Sequence, residues 1–323
     1  MKAPRIGVVA IGRNEGDRLI ACLQSLRGAA AVVYVDSGST DGSAEAAERM
    51  GAAVVRLDMS TPFTAARARN AGALSGSLSD ADYIQFIDGD CTLDADWLEK
   101  GAACLAADPR VAVVCGRRRE RRPDESIYNR LCDIEWDTPL GEAVACGGDA
   151  LMRTQALKDV GFYNESLVAG EEPELCLRLR ERGWKILRID AEMTLHDAAM
   201  TKFSQWWTRA KRAGHAYAEI SSLHRRSPMR IWRREMLRAL AWSSLAPASI
   251  VLAAVADPIF LTLLIAYPAQ VARLCQSAYG RLGGDALPWA ALTVLGKFAE
   301  SLGILSFFAN RIRGRRAGLF EYK

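Results

Sequence analysis

Residues 81–90 read ADYIQFIDGD, a mostly apolar run that stops at two aspartates with one glycine between them. A short apolar run ended by turn formers predicts a strand buried on both faces. Its polar end predicts a ligand position, because open α/β sheets bind ligands beyond the carboxyl ends of their strands.

Working outward, the neighbouring sequence supplies the rest of such a sheet. IGVVAI (6–11), AVVYVD (31–36) and AVVRL (53–57) read as further apolar strands. Helical patterns alternate with them over about 15–26, 41–50 and 62–75; in the first, Leu19, Cys22, Leu23 and Leu26 share one face. A helix over about 94–107 and a strand VAVVCG (111–116) follow. This alternation predicts an α/β fold with a mostly parallel sheet covered on both faces. Arg13-Asn14-Glu15, Asp36-Ser37 and Asp88-Gly89-Asp90 all fall at strand ends. Residues 117–144, opening with RRRERR, are expected to be irregular: a solvated segment, or one facing an acceptor or a phosphate. Regular structure is expected to resume with ACGGDALMR (145–153), a helix near 154–160, a second from GEEPELCLRLRERG to Arg182, and the strand WKILRI (184–189) before His196.

Charge divides the 323-residue chain. Residues 1–200 hold 24 Lys+Arg against 32 Asp+Glu, a net of −8; residues 201–323 hold 18 against 6, a net of +12. The acidic part suits cation handling. The basic part flanks long apolar runs, which predicts an anionic membrane surface and not nucleic acid as partner. None of the eight cysteines forms a C-x-x-C pair, so buried free thiols of a reducing compartment are expected. The run 6–11 is too short for a signal peptide.

Asp88 and Asp90, two residues apart at a strand end, can converge on one hard cation, Mg²⁺ or Mn²⁺. Standing alone, such a pair is more often a turn. Asp36 and Ser37 open SGSTDGS, where small residues let backbone N–H groups approach a ligand; Asp41 or Ser39 could equally cap the next helix. Arg67 and Asn70 share a helical face, and a guanidinium there suits an anionic diphosphate, with surface charge as the alternative. Glu171, Glu172 and Glu174 crowd a helix start. They complement the helix dipole, and the crowding also favours one raised pKa, as a general base requires. His196 is either structural or a third metal ligand.

The ordered set AIGRNEG (10–16), VVYVDSGSTDGS (32–43), ARNAG (68–72), FIDGDC (86–91), GGDALMR (147–153) and GEEPELCLRLRERGW (170–184) resembles the family 2 glycosyltransferases over roughly residues 4–200. The resemblance implies the GT-A fold, a Rossmann-like nucleotide-sugar domain, and inverting transfer. It implies that Asn14 and Glu15 sit by the nucleoside, that Asp36 contacts the base, commonly uracil, and that Arg69 lies near the nucleotide. It places Asp88 at the ribose or metal, Asp90 on the metal, and Gly147 and Gly148 beside sugar and acceptor. The family's base is an aspartate matching Glu172; Glu174 replaces a second aspartate.

From Ala239 to Ala272 the only charge is Asp257, so a helical hairpin is expected over 239–272, re-entrant or barely spanning. Arginines 225, 226, 230, 233, 234 and 238 before it, and 273 and 281 after it, place both ends in the cytoplasm. The run 287–310 carries Lys297 and Glu300 and reads as an interfacial helix ending in RIRGRR (311–316). Residues 201–238 are expected to connect the two parts. FSQWWTRAKRAGHAYAE (203–219) resembles the helix that closes the acceptor site in this family, or is an amphipathic packing helix.

Together these expectations describe a metal-dependent transferase at the cytoplasmic face of the inner membrane. It would move sugar from a nucleotide-sugar donor to a glycan or polyprenyl-linked acceptor in envelope polysaccharide synthesis. Two alternatives compete. A processive synthase would carry Q-x-x-R-W, and Gln205-Trp206-Trp207-Thr208-Arg209 lacks that spacing. A catalytically inactive membrane-bound scaffold would not need Asp88, Asp90 and Glu172.

Overall fold

The computed structural model describes residues 3–314. The chain divides after Ala199 into two compact units. In the first, β1 (Ile6–Gly12), α1 (Asp17–Ser25), β2 (Ala31–Asp36), α2 (Ser43–Arg49), β3 (Ala53–Arg56), α3 (Ala65–Ala73) and β4 (Tyr83–Asp88) follow the alternation expected. Next come β5 (Cys91–Leu93), α4 (Trp97–Ala107), β6 (Val111–Glu120), α5 (Ile127–Trp136), β7 (Gly141–Ala143), β8 (Ala150–Arg153), α6 (Thr154–Val160), α7 (Glu171–Glu181) and β9 (Lys185–His196).

One sheet runs β3-β2-β1-β4-β8-β6-β9-β5, with β7 on β9. The pairs β1–β2, β1–β4, β2–β3 and β6–β9 are parallel. β8 enters antiparallel between β4 and β6, and β5 and β7 pair antiparallel with β9. The sheet is mostly parallel, as expected, with β8 as an antiparallel insertion in its middle. A four-residue strand buried on two faces carries the same apolar signature in either direction. Gln85 interrupts the apolar β4 and is fully buried; it accepts from Trp97 Nε1 at 2.7 Å, so the burial leaves no unmet donor.

The segment 117–144 is more ordered than its charge suggested. β6 continues through Glu120 because each arginine meets an acid. Arg117 pairs with Asp133 at 2.8 Å, Arg119 with Glu192 at 2.7 Å, and Arg118 with Asp88 and Asp149 at 3.4 Å. β9 likewise runs beyond Ile189 to pair with this extension and with β5. All eight cysteines are free, six of them buried.

The second unit holds α8 (Phe203–Leu223), α9 (Arg233–Val255), a 3₁₀ segment (Pro258–Ile265), α10 (Ala266–Leu282) and α11 (Ala286–Ile312). α9 begins inside the basic segment, and the second arm of the expected hairpin is a 3₁₀ turn continued by α10. Arg315 and Arg316 of the terminal basic run lie outside the described residues. Pro247 interrupts the α9 hydrogen-bond ladder. Tyr267 compensates, accepting from Ala246 N at 3.1 Å and donating to the Trp242 carbonyl at 2.7 Å. α9 and the stretch Pro258–Ile312 are long and apolar enough to cross a membrane by length and composition; the apolar windows are only 11% and 0% buried.

α8 and α11 meet backbone to backbone. A Cβ on Gly214 would lie 1.9 Å from the Glu300 carbonyl oxygen, and one on Gly303 would lie 2.0 Å from that of Lys211. Backbone cannot step aside as a side chain can. Gly214→Val is therefore expected to lower the stability of the second unit by about 1–3 kcal/mol, the usual cost of overpacking. Thermal unfolding of the detergent-solubilised chain checks this, and a midpoint equal to wild type would refute the close crossing.

Candidate active site

The site lies at the carboxyl ends of β1, β2 and β4, and three loops build it. The first two, RNEG and SGSTDG, are tied to each other. Asn14 sits at φ 54°, accepts from Thr40 N at 2.7 Å and donates its own N–H to Ser39 Oγ at 2.9 Å. Gly16 N donates to Asp41 at 3.0 Å, and Asp41 also accepts from Ser43 N, next to the start of α2. Asp36, buried, accepts from Gly38 N and Ser39 N at 3.1 and 3.0 Å, with Tyr34 Oη at 3.3 Å. Its carboxylate is thus fixed in orientation before any ligand arrives. Ser37 is buried beside it, while Glu15 pairs with Arg18 at 2.7 Å.

The third loop is the Asp88-Gly89-Asp90 turn, and Arg69 is the hub behind it. Thr64 caps α3 by accepting from Arg67 N, which brings Arg69 round to the inner face. Its Nη1 lies 2.7 Å from Glu172 and 2.9 Å from Glu171, and its Nη2 lies 2.9 Å from Asp88. Gly148 permits this convergence: a Cβ there would stand 2.6 Å from Arg69 Nη2 and 3.1 Å from Asp88 Oδ2. Arg67, two residues earlier, spends its guanidinium on the carbonyls of Asp58, Thr61 and Pro62. The pattern reading singled out the Arg67–Asn70 face; Asn70 is in fact buried against Tyr163 and Glu165.

Of the three glutamates that open α7, Glu174 turns inward and is held by Arg178 through Nε and Nη2 at 2.9–3.0 Å. Glu171 and Glu172 face Arg69. Burial first, then repulsion from Glu171, pushes the Glu172 carboxyl up to about 7, even with Arg69 beside it. A carboxylate near that value can take up a proton at neutral pH.

Across the turn, Asp149 is completely buried just before β8. It accepts from Asp88 N at 3.2 Å and from Thr194 Oγ1 at 2.7 Å. His196, at the end of β9, puts Nε2 3.4 Å from Asp90 Oδ1 and stands edge-on to Trp136. Burial, then the Arg118 charge, lowers its pKa, so the imidazole is neutral and keeps a lone pair. Asp90, Cys91 and His196 each offer a ligand atom within 4.8 Å of the others, as do Asp88, Cys91 and Asp149. Burial, then Asp149, pushes the Cys91 thiol far above its usual range and keeps it protonated. The remaining donors, carboxylate oxygens and a neutral imidazole, fit a hard divalent cation such as Mg²⁺ or Mn²⁺.

Asp149 and Trp136 escaped the sequence reading, and Arg118 was covered only by the reading of 117–144 as a segment facing an acceptor or a phosphate. A carboxylate directly before an apolar strand in GGDALMR was the available clue to Asp149. Nothing local distinguishes Arg118 from its arginine neighbours.

Residues 8–161 match the model of glycosyl transferase family 2, a segment that ends before Glu171. The pre-mycofactocin glycosyltransferase of Mycobacterium tuberculosis is 28% identical over 234 residues, 68% of this chain and 48% of that protein. The succinoglycan biosynthesis protein ExoA of Rhizobium meliloti is 30% identical over 200 residues, 55% of this chain and 58% of that protein. The chain thus spans about half the length of these relatives. The mannosyltransferase PcManGT of Pyrobaculum calidifontis, solved with GDP-Man and Mn²⁺, superposes with a TM-score of 0.64 at 19% identity, covering 94% of this chain and 88% of that one. Motif order and the family match agree: residues 8–161 are similar to the family 2 glycosyltransferases, and the fold is similar to that of the mannosyltransferase.

Proposed function

We propose that the chain transfers a sugar, with inversion, from a nucleotide-sugar to a hydroxyl of a lipid-linked or polysaccharide acceptor in cell-envelope glycan synthesis. One observation carries the reading: Arg69 draws Glu172 and Asp88 to the same guanidinium, so a carboxyl titrating near neutrality stands beside the cation-binding turn.

Asp36, oriented by Gly38 and Ser39, would accept from the base, with uracil the favoured partner. Asn14, Glu15 and Ser37 would line the nucleoside. Asp88, Asp90 and His196, with Asp149 behind them, would hold Mg²⁺ or Mn²⁺. Such a cation, when bound, offsets the charge that develops on a departing diphosphate. Glu172 would take the proton of the acceptor hydroxyl as that oxygen attacks the anomeric carbon opposite the leaving group. Glu171 would hold Arg69 and keep the Glu172 pKa raised; Gly148 would leave room for the sugar. Glu174, committed to Arg178, would support the helix and not the chemistry. Arg67 would shape the loop before α3, leaving contact with the nucleotide to Arg69.

The apolar α9 and Pro258–Ile312 segments would anchor the chain, and the arginines flanking α9 would keep the catalytic unit at the cytoplasmic face of the inner membrane.

A panel of UDP-, GDP- and dTDP-sugars, each with and without Mn²⁺, tests this reading by thermal shift. One nucleotide is expected to stabilise the protein by about 2–4 kcal/mol at 100–1,000 times its Kd, with Mn²⁺ required. No Mn²⁺-dependent shift with any of them would defeat the proposal.

A further inference from the structure

The acids around the turn outnumber the cations. Asp88, Asp90, Asp149, Glu171 and Glu172 stand against Arg69 and Arg118, and these two arginines are held differently. Arg69 is 3% exposed and lies within 2.9 Å of three carboxylates. Arg118 reaches in from β6, where the register with β9 shifts between Cys115, Arg117 and Arg118. Its side chain is 14% exposed, and its ion pairs to Asp88 Oδ2 and Asp149 Oδ2 are both 3.4 Å long. The guanidinium lies 4.7 Å over the Trp136 ring, and Nη1 stands 3.8 Å from where a Cβ on Gly147 would be.

We propose that Arg118 is the exchangeable counter-cation of this site. It neutralises Asp88 and Asp149 in the ligand-free protein. When a divalent cation and a diphosphate arrive, it passes its guanidinium from those carboxylates to the diphosphate oxygens. The inference rests on the nucleotide-sugar reading above and adds a ligand-binding residue that the motifs do not contain. The physics is an exchange of like charges: an entering cation repels the guanidinium, while the diphosphate attracts it. A planar fork suits phosphate oxygens, and the Trp136 face supports it in either position without competing for its hydrogen bonds. Arg69 cannot play this part, because its departure would strand Glu171 and Glu172 without a partner.

The test uses Mn²⁺ and inorganic pyrophosphate, which carry no base or sugar. On the full chain in detergent, Mn²⁺ affinity is read from the free-ion paramagnetic resonance signal. Pyrophosphate affinity at micromolar concentration with Mn²⁺ present is read by calorimetry. Arg118→Gln is expected to bind Mn²⁺ severalfold more tightly and pyrophosphate about tenfold or more weakly. Arg118→Lys should fall between it and wild type, and Arg119→Gln, on the exposed Glu192 pair, should match wild type. Opposite movement of the two affinities is the signature, because a residue that only supports the fold would weaken both. Joint weakening in both Arg118 variants, or unchanged pyrophosphate binding in Arg118→Gln, overturns the assignment. A wild-type chain that binds Mn²⁺ but no pyrophosphate defeats the donor reading itself, and this inference with it.

Discussion

Glu172→Gln is expected to lower kcat by a factor on the order of 10²–10⁴, the usual loss when a general base is removed. The amide keeps the shape of the carboxyl but cannot accept the acceptor proton. Donor binding should survive, because Arg69 keeps Asp88 and Glu171 as partners at 2.9 Å. Thermal stability should hold or rise slightly, since the variant removes the repulsion that helps push Glu172 up to about 7. The same value sets the pH profile. The base works only when ionised, so wild-type kcat/KM should climb with unit slope below about pH 7 and level off above it. That limb should disappear from the residual activity of Glu172→Gln. Glu174→Gln, by contrast, breaks the Arg178 pair and should cost stability more than turnover. Full turnover in Glu172→Gln, or an unmoved pH limb, would place the base elsewhere.

The order of strands and helices through β4 was legible because buried strands and their polar ends alternate at short range. So were the Asp88–Asp90 turn and the glutamates at the start of α7. What stayed hidden depends on sheet topology. β8 threads antiparallel beside β4, which sets Asp149 against the backbone of Asp88. β6 and β9 run on together past their apolar cores, which carries Arg118 to the turn beside His196, a candidate ligand already in the sequence. Arg67 and Arg69 pose the same difficulty at closer range. Two arginines two apart on a nine-residue helix look alike in sequence, and only the packing of α3 shows that Arg69 is the buried one. Nor does crowding alone choose among Glu171, Glu172 and Glu174; the partner Arg178, one turn on, withdraws the third.

Arg69→Met should cost about 3–5 kcal/mol of stability, the penalty for stranding buried charges by removing their partner. Methionine fills most of the space, so the loss would be electrostatic and not a cavity effect. The stranded carboxyls can escape only by taking up protons, which raises their folded-state pKa above the unfolded value of about 4.3. A group shifted that way holds its proton in the folded state over the window between the two values, so its contribution to stability falls as pH rises through that window. Glu172 already behaves so in wild type up to about 7, and losing Arg69 should extend the window upward. The stability gap between variant and wild type should therefore be larger at pH 8 than at pH 5.5. Adding Glu172→Gln to Arg69→Met should return part of the lost stability, because one of the stranded charges is gone. The two changes would then be non-additive by an amount that measures the pair directly. A gap independent of pH, with simple additivity, would mean that Arg69 supports the fold by packing, and the electrostatic account of how Glu172 is held near neutrality would fall with it.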